Sequence, residues 1–127
     1  MLLVYSQRRG AEPGTPEFQR ALVEHGAFMQ ECIRRGVFRG ADPLRSPDEA
    51  ATVRIRNGEP LVTDGPFAET TEWLGGYYVL ECSREEALEL AALCPSCRDG
   101  DTIEVRPVHD LPGPHTEHRL AAEAARG

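Results

Sequence analysis

The chain contains no lysine; all fourteen of its basic residues are arginine. That excludes Schiff-base chemistry and a catalytic ammonium group, while leaving guanidinium groups for bidentate contact with carboxylate or phosphate. Aromatic residues are scarce, at 6%, so aliphatic side chains and alanine must fill most of the core. Positive charge is in deficit: the net charge is −7 and the pI is near 5.1, which argues against a partner held through its phosphate backbone. No apolar run approaches the length that spans a bilayer. The apolar start "MLLVY" gives way to Ser-Gln-Arg-Arg, too short for the core of a signal peptide. No segment repeats internally.

What is present suits one domain. At 127 residues and 40% apolar, the chain is long enough for a single modest core. The four cysteines, Cys32, Cys82, Cys94 and Cys97, are expected to be reduced in a cytoplasm. Leu2 to Tyr5 reads as a first strand. Thr15-Pro16 starts a helix, with threonine as cap and proline where its missing N–H does no harm. The stripe Phe18, Leu22, His25, Met29, Cys32 keeps helical spacing, and Gly36 can close the helix in a left-handed conformation. Val37 to Arg39 reads as a short strand, followed from Ala41 by a loop. "ATVRIR" (51–56) alternates, Asn57-Gly58 is a hairpin turn, and Leu61 to Thr63 returns. Gly76 to Cys82 is a further strand, Ser83 to Glu86 a capping box opening a second helix, and Thr102 to Arg106 the last strand.

Strand, helix, short strand, hairpin, strand, helix, strand is the order of a ferredoxin-like α+β sandwich with an inserted β-hairpin. Its helices would cover one sheet face, and a homodimer would cover apolar residues on the other. The expected domain spans 1–108. The proline-broken, alanine-rich remainder, 109–127, is expected to be a loosely ordered tail.

Two residues stand out for chemistry. Helical phase places His25 inside the apolar stripe, where the ring needs a partner for at least one nitrogen. Either a backbone carbonyl satisfies it as a core residue, or a carboxylate tunes it as a proton shuttle near neutral pH. Asp64 ends a strand just before Gly65-Pro66; it is either an Asx-turn residue or a carboxylate aimed into a pocket. Arg54 and Arg56 share the hairpin face opposite Val53 and Ile55, as solvated side chains or as an anion clamp. Trp73 and Tyr77 suit a pocket or a dimer seam, while Glu69 and Glu72 read as a solvated loop. Cys94-Pro-Ser-Cys97 falls at the end of the second helix, the wrong pole for a stabilised thiolate, and its spacing to His115 and His118 fits no common zinc finger. These cysteines read as idle thiols, and no metal or cofactor is expected.

"VTDGPFAET" (62–70), followed by "LGGYYVL" (74–80) and "IEVRPV" (103–108), resembles the YCII-related, DGPF-motif family of small bacterial proteins. The likeness extends to "MLLVY" (1–5), His25, Gly36-Val37, Leu44 and "ATVRIRNG" (51–58), so it covers the chain up to Val108. It implies a ferredoxin-like protomer that dimerises into an α/β-barrel-type assembly, with the helix histidine and an aspartate lining a cleft as an acid–base pair. It also favours Arg54 as the anion-binding arginine, and Phe67 falls within the naming motif. Some members of the family are encoded beside, or fused to, extracytoplasmic-function sigma factors, which implies a regulatory setting. The chain departs from the pattern at Thr71, where lysine is common, and at Cys94 to Cys97, a stretch usually free of cysteine.

Two functions are therefore expected. In the first, His25 acts as general acid or base, oriented by Asp64, on a small molecule contacted by Arg54, Phe67, Trp73 and Tyr77. That would be cofactor-independent isomerase-, lyase- or hydrolase-like chemistry. In the second, the same fold is a non-catalytic ligand-binding or regulatory module that docks a partner such as a sigma factor.

Overall fold

Leu2–Ser6 forms the first strand, β1, in a computed structural model that describes residues 1–7, 12–113 and 124–125. The chain then enters helix α1, Pro16–Arg34, through the expected cap: the Thr15 hydroxyl accepts the Phe18 N–H at 3.2 Å, with Pro16 in the first turn. Gly36, at φ +75°, ends it, a backbone conformation that costs glycine little and other residues more. Within the stripe only Cys32 is buried, joined by its neighbour Phe28, while Leu22 remains half exposed.

Strand β2 is Phe38–Pro43, longer than the three-residue strand expected and taking in Ala41, Asp42 and Pro43, which had read as loop. It is an edge strand pairing with β5 alone, and an edge tolerates a proline that can donate no ladder bond. Strands β3 (Ala51–Arg56) and β4 (Glu59–Asp64) form the expected hairpin. Its turn residues Asn57 and Gly58 have φ of 54° and 77°, the two positive values a type I′ turn requires. Strand β5 is Trp73–Leu80, starting earlier and ending earlier than expected. Helix α2, Arg84–Leu93, is capped by the Ser83 hydroxyl, which accepts the Glu86 N–H at 3.2 Å. A one-turn helix α3, Pro95–Arg98, follows, and β6 is Thr102–Val105.

One sheet runs β2-β5-β1-β6, antiparallel at every junction, and the hairpin is a separate two-stranded sheet. Each long helix joins two strands that flank a third: β1 and β2 lie either side of β5, β5 and β6 either side of β1. This is the split βαβ arrangement of a ferredoxin-like α+β fold. Leu2 and Val4 from β1 and Tyr78 from β5 meet Phe28, Cys32, Leu90 and Cys94 in the core between the sheet and its helices. Burying a side chain such as Leu90 contributes about 1.5–3 kcal/mol. Gly76 is needed where β2 crosses closely: a Cβ there would lie 3.1 Å from the Asp42 carbonyl oxygen and 3.3 Å from the Pro43 Cα. Among the described residues no helix is long and apolar enough to cross a membrane. His115, His118 and most of the expected tail lie outside the described residues.

Candidate functional site at the helix–sheet junction

His25 projects from the middle of α1 towards the sheet. Its Nδ1 lies 2.6 Å from the Tyr78 hydroxyl, and its Nε2 lies 3.4 Å from the Ser96 Oγ. The imidazole lies nearly parallel to the Tyr78 ring, at 12° and 6.3 Å between centroids, and Phe28 meets that ring edge-on at 5.1 Å. Tyr77 and Tyr78 are neighbours on a strand and face opposite ways. Register with Leu2 turns Tyr78 inward, whereas Tyr77 pairs with Leu3 and donates its hydroxyl to Asp42 Oδ2 at 2.5 Å.

Ser96 owes its position to Pro95. Proline cannot extend α2, so the chain breaks at Cys94 and restarts as α3, with Cys94 both ending one helix and capping the next. The Cys94-x-x-Cys97 pair therefore spans the start of a short helix as well as the end of a long one, a correction to the expected placement. Cys94 is nevertheless fully buried and its thiol is pushed up by that burial; Cys32, also buried, is pushed up to about 11. Neither thiol is prepared to ionise. The Tyr78 phenol is raised for the same reason, burial, with the Cys94 and Cys32 thiols acting in the same direction.

The pKa of His25 is lowered, first by burial, with Arg98 acting in the same direction and Glu24, Asp99 and Asp101 pulling the other way. Burial thus favours the neutral form of the ring. A cavity of about 300 Å³ opens beside it, walled by Glu24 and Phe28 of α1 and by Leu93, Pro95 and Arg98 of the α2–α3 segment. Arg98 pairs with Glu24 across this junction at 3.3 Å. His25 itself does not line the cavity.

The other residues singled out in the sequence lie elsewhere. Asp64 is exposed at the end of β4, in register with Ala51. Among the described residues no hydrogen bond joins it to His25, whose partners are Tyr78 and Ser96. Arg54 and Phe67 meet in a second cavity of about 220 Å³ on the hairpin. Trp73 is half-buried opposite Ser6 at the start of β5 and lines neither cavity. Glu69 is exposed, whereas Glu72 accepts a hydrogen bond from Gln7 Nε2 at 3.1 Å and so ties its loop to the end of β1. Sequence reasoning missed Tyr78 and Ser96. The signal for Tyr78 was the Tyr-Tyr pair in an alternating strand, one of which had to face the helices.

A four-stranded antiparallel sheet in split order, covered by helices on one face and carrying an inserted hairpin, defines a ferredoxin-like α+β domain. The chain belongs to the YCII-related family, whose domain model matches residues 1–112. It is similar to an uncharacterised protein of Rhizobium meliloti (strain 1021), with 36% identity over 94 residues, covering 72% of this chain and 76% of that protein.

Proposed function

We propose that the protein performs cofactor-independent acid–base chemistry on a small molecule, with His25 as the proton-transfer group. The observation that carries this reading is the half-buried imidazole held at both nitrogens by Tyr78 and Ser96, with its helix neighbours Glu24 and Phe28 walling a cavity. In the proposed tautomer Nδ1–H donates to the Tyr78 oxygen and the Nε2 lone pair faces Ser96. A proton taken up at Nε2 leaves an imidazolium steadied by the Tyr78 oxygen, and a neutral resting ring is the form a base requires. Within a protomer, Tyr78 and Ser96 thus take the orienting role that the sequence assigned to Asp64. Asp64 enters this reading as a residue supplied from the hairpin of a second copy.

A homodimer belongs to the same proposal. It is supported by Val53, Ile55 and Val62, which share one hairpin face and are 63%, 69% and 63% exposed, an unusual amount of apolar surface for a monomer. Light scattering on the full chain should return twice the monomer mass; a monomer would remove Asp64 from the site. The four cysteines are all free, which fits the cytoplasmic setting proposed with it.

The test begins with a thermal-shift metabolite screen, since a ligand of the folded state raises its apparent stability. Each hit is then incubated with the parent and with His25→Gln in deuterated solvent, and exchange or turnover is followed by NMR. Loss of exchange with binding retained in His25→Gln supports proton transfer. A second reading, a ligand-binding or regulatory module docking a partner such as a sigma factor, is favoured by the absence of His25 from the cavity wall. A hit that binds parent and variant equally and is changed by neither selects it.

A further inference from the structure

The hairpin carries a second set of polar groups, separate from His25 and independent of its chemistry. Pairing of β3 with β4 puts Thr52, Arg54 and Arg56 on one face with Thr63, Leu61 and Glu59. The chain leaving β4 then folds back over that face. Gly65, at φ +95°, makes the bend, and three hydrogen bonds fix it: Gly65 N–H to the Ala50 carbonyl at 2.7 Å, Thr52 hydroxyl to the Gly65 carbonyl at 2.8 Å, and Arg54 Nη2 to the Phe67 carbonyl at 3.4 Å. Pro66 and Phe67 thereby become a wall of the 220 Å³ concavity, facing the arginines.

The two hairpin arginines differ from most of the others in what they reach. Arg34, Arg35, Arg39, Arg45, Arg98 and Arg106 each reach a carboxylate within 3.4 Å. Among the described residues Arg54 and Arg56, like Arg20 and Arg84, form no ion pair, but only Arg54 and Arg56 stand side by side on one strand face, in a chain whose net charge is −7. Glu59 is in register with Arg56 but makes no ion pair with it. Two guanidinium groups two residues apart on one strand face repel each other, and an oxyanion between them relieves that repulsion through charge-assisted hydrogen bonds. Thr63 adds a hydroxyl at the floor. Phe67, 77% exposed, holds a flat apolar ring at the rim that the fold itself does not bury.

We propose that this concavity binds a small molecule bearing a carboxylate or phosphate on an apolar, ring-sized body: the oxyanion between Arg54 and Arg56, the body against Phe67, Pro66 and Leu61. Its volume lies below the usual range for drug-sized ligands, roughly 300–1,000 Å³, so a single-ring acid fits and a nucleotide does not. The preference for an oxyanion with an apolar body separates this site from a simple salt site.

The test is an NMR titration of the full chain with phenyl phosphate, benzoate, inorganic phosphate and the neutral benzyl alcohol. The two aromatic acids should move the Arg54 and Arg56 Nε–H and Phe67 ring signals saturably, with dissociation constants on the order of a millimolar. Benzyl alcohol should not. R54Q and R56Q should each weaken phenyl phosphate binding about tenfold. F67A should weaken the aromatic acids several-fold while leaving circular dichroism unchanged, and His25→Gln should leave binding intact. Inorganic phosphate binding as tightly as phenyl phosphate overturns the assigned ligand class. Equal binding of benzyl alcohol, or full binding by folded R54Q and R56Q, overturns the site itself. Neither result bears on proton transfer at His25.

Discussion

The helix–sheet junction and the hairpin are two solutions to placing polar groups on a small domain. At the junction, His25, Tyr78 and Ser96 surrender most of their water and find each other instead. On the hairpin, Arg54 and Arg56 stay exposed on a two-stranded sheet that shares no ladder with the main one, and Phe67 stays exposed on the loop that follows it. Stability is concentrated in the first region, because a buried polar group without its partner is costly and a deleted methylene leaves a void. Unspent binding capacity is concentrated in the second.

Breaking the first region should therefore cost far more than breaking the second. Leu90 is fully buried between α2 and the sheet, and Leu90→Ala should lose about 2–5 kcal/mol in urea unfolding. Gly76→Ala forces a methyl against the backbone of β2 and should cost about 1–3 kcal/mol, with no comparable loss for alanine at exposed Pro60. Tyr78→Phe strips the hydroxyl from Nδ1 and should cost about 1–2 kcal/mol; it should also shift the His25 titration followed by NMR, which a purely packing role would leave still. On the hairpin, Glu59→Gln at an exposed position on the face opposite Val53 should change stability by no more than about 0.5 kcal/mol.

Acidity sharpens the same contrast. Burial lowers the folded-state pKa of His25 below its unfolded value, with Arg98 assisting and Glu24, Asp99 and Asp101 opposing. The unfolded chain therefore binds the proton more readily. This contribution is intact above the unfolded pKa near 6.5 and is lost as pH falls through the depressed folded value. Glu31, held at about 2 by Arg34 and Arg35, acts in a separate window below the ordinary carboxylate range. Thermal melts at stepped pH should show parent stability falling below about pH 6.5; the same fall in His25→Gln would assign it to another group.

Much of this was legible before any coordinates. Thr15, Pro16 and Gly36 bound α1, and Asn57-Gly58 set the hairpin, because caps and primed turns act within a few residues of chain. Helical phase also turned His25 inward. Its partners were not legible, since Tyr78 lies 53 and Ser96 71 residues away and both depend on strand register and on a helix restart at proline. Strand β2 was under-read because Pro43 signals a loop unless its strand is known to be an edge. Asp64 was placed correctly at a strand end, but the pairing that opposes it to Ala51 comes from hairpin register, which governs where its carboxylate faces.

The Leu44 N–H donates to the Gly75 carbonyl at 2.8 Å, so the chain leaves the main sheet and rejoins it at adjoining points. The chain from Arg45 to Thr71, between those stems, is an appendage whose length and lettering can drift without moving a strand of the scaffold. A lineage could exchange it wholesale and keep the same folded platform. Grafting this segment between relatives should carry ligand preference with it, while the melting curve stays with the recipient.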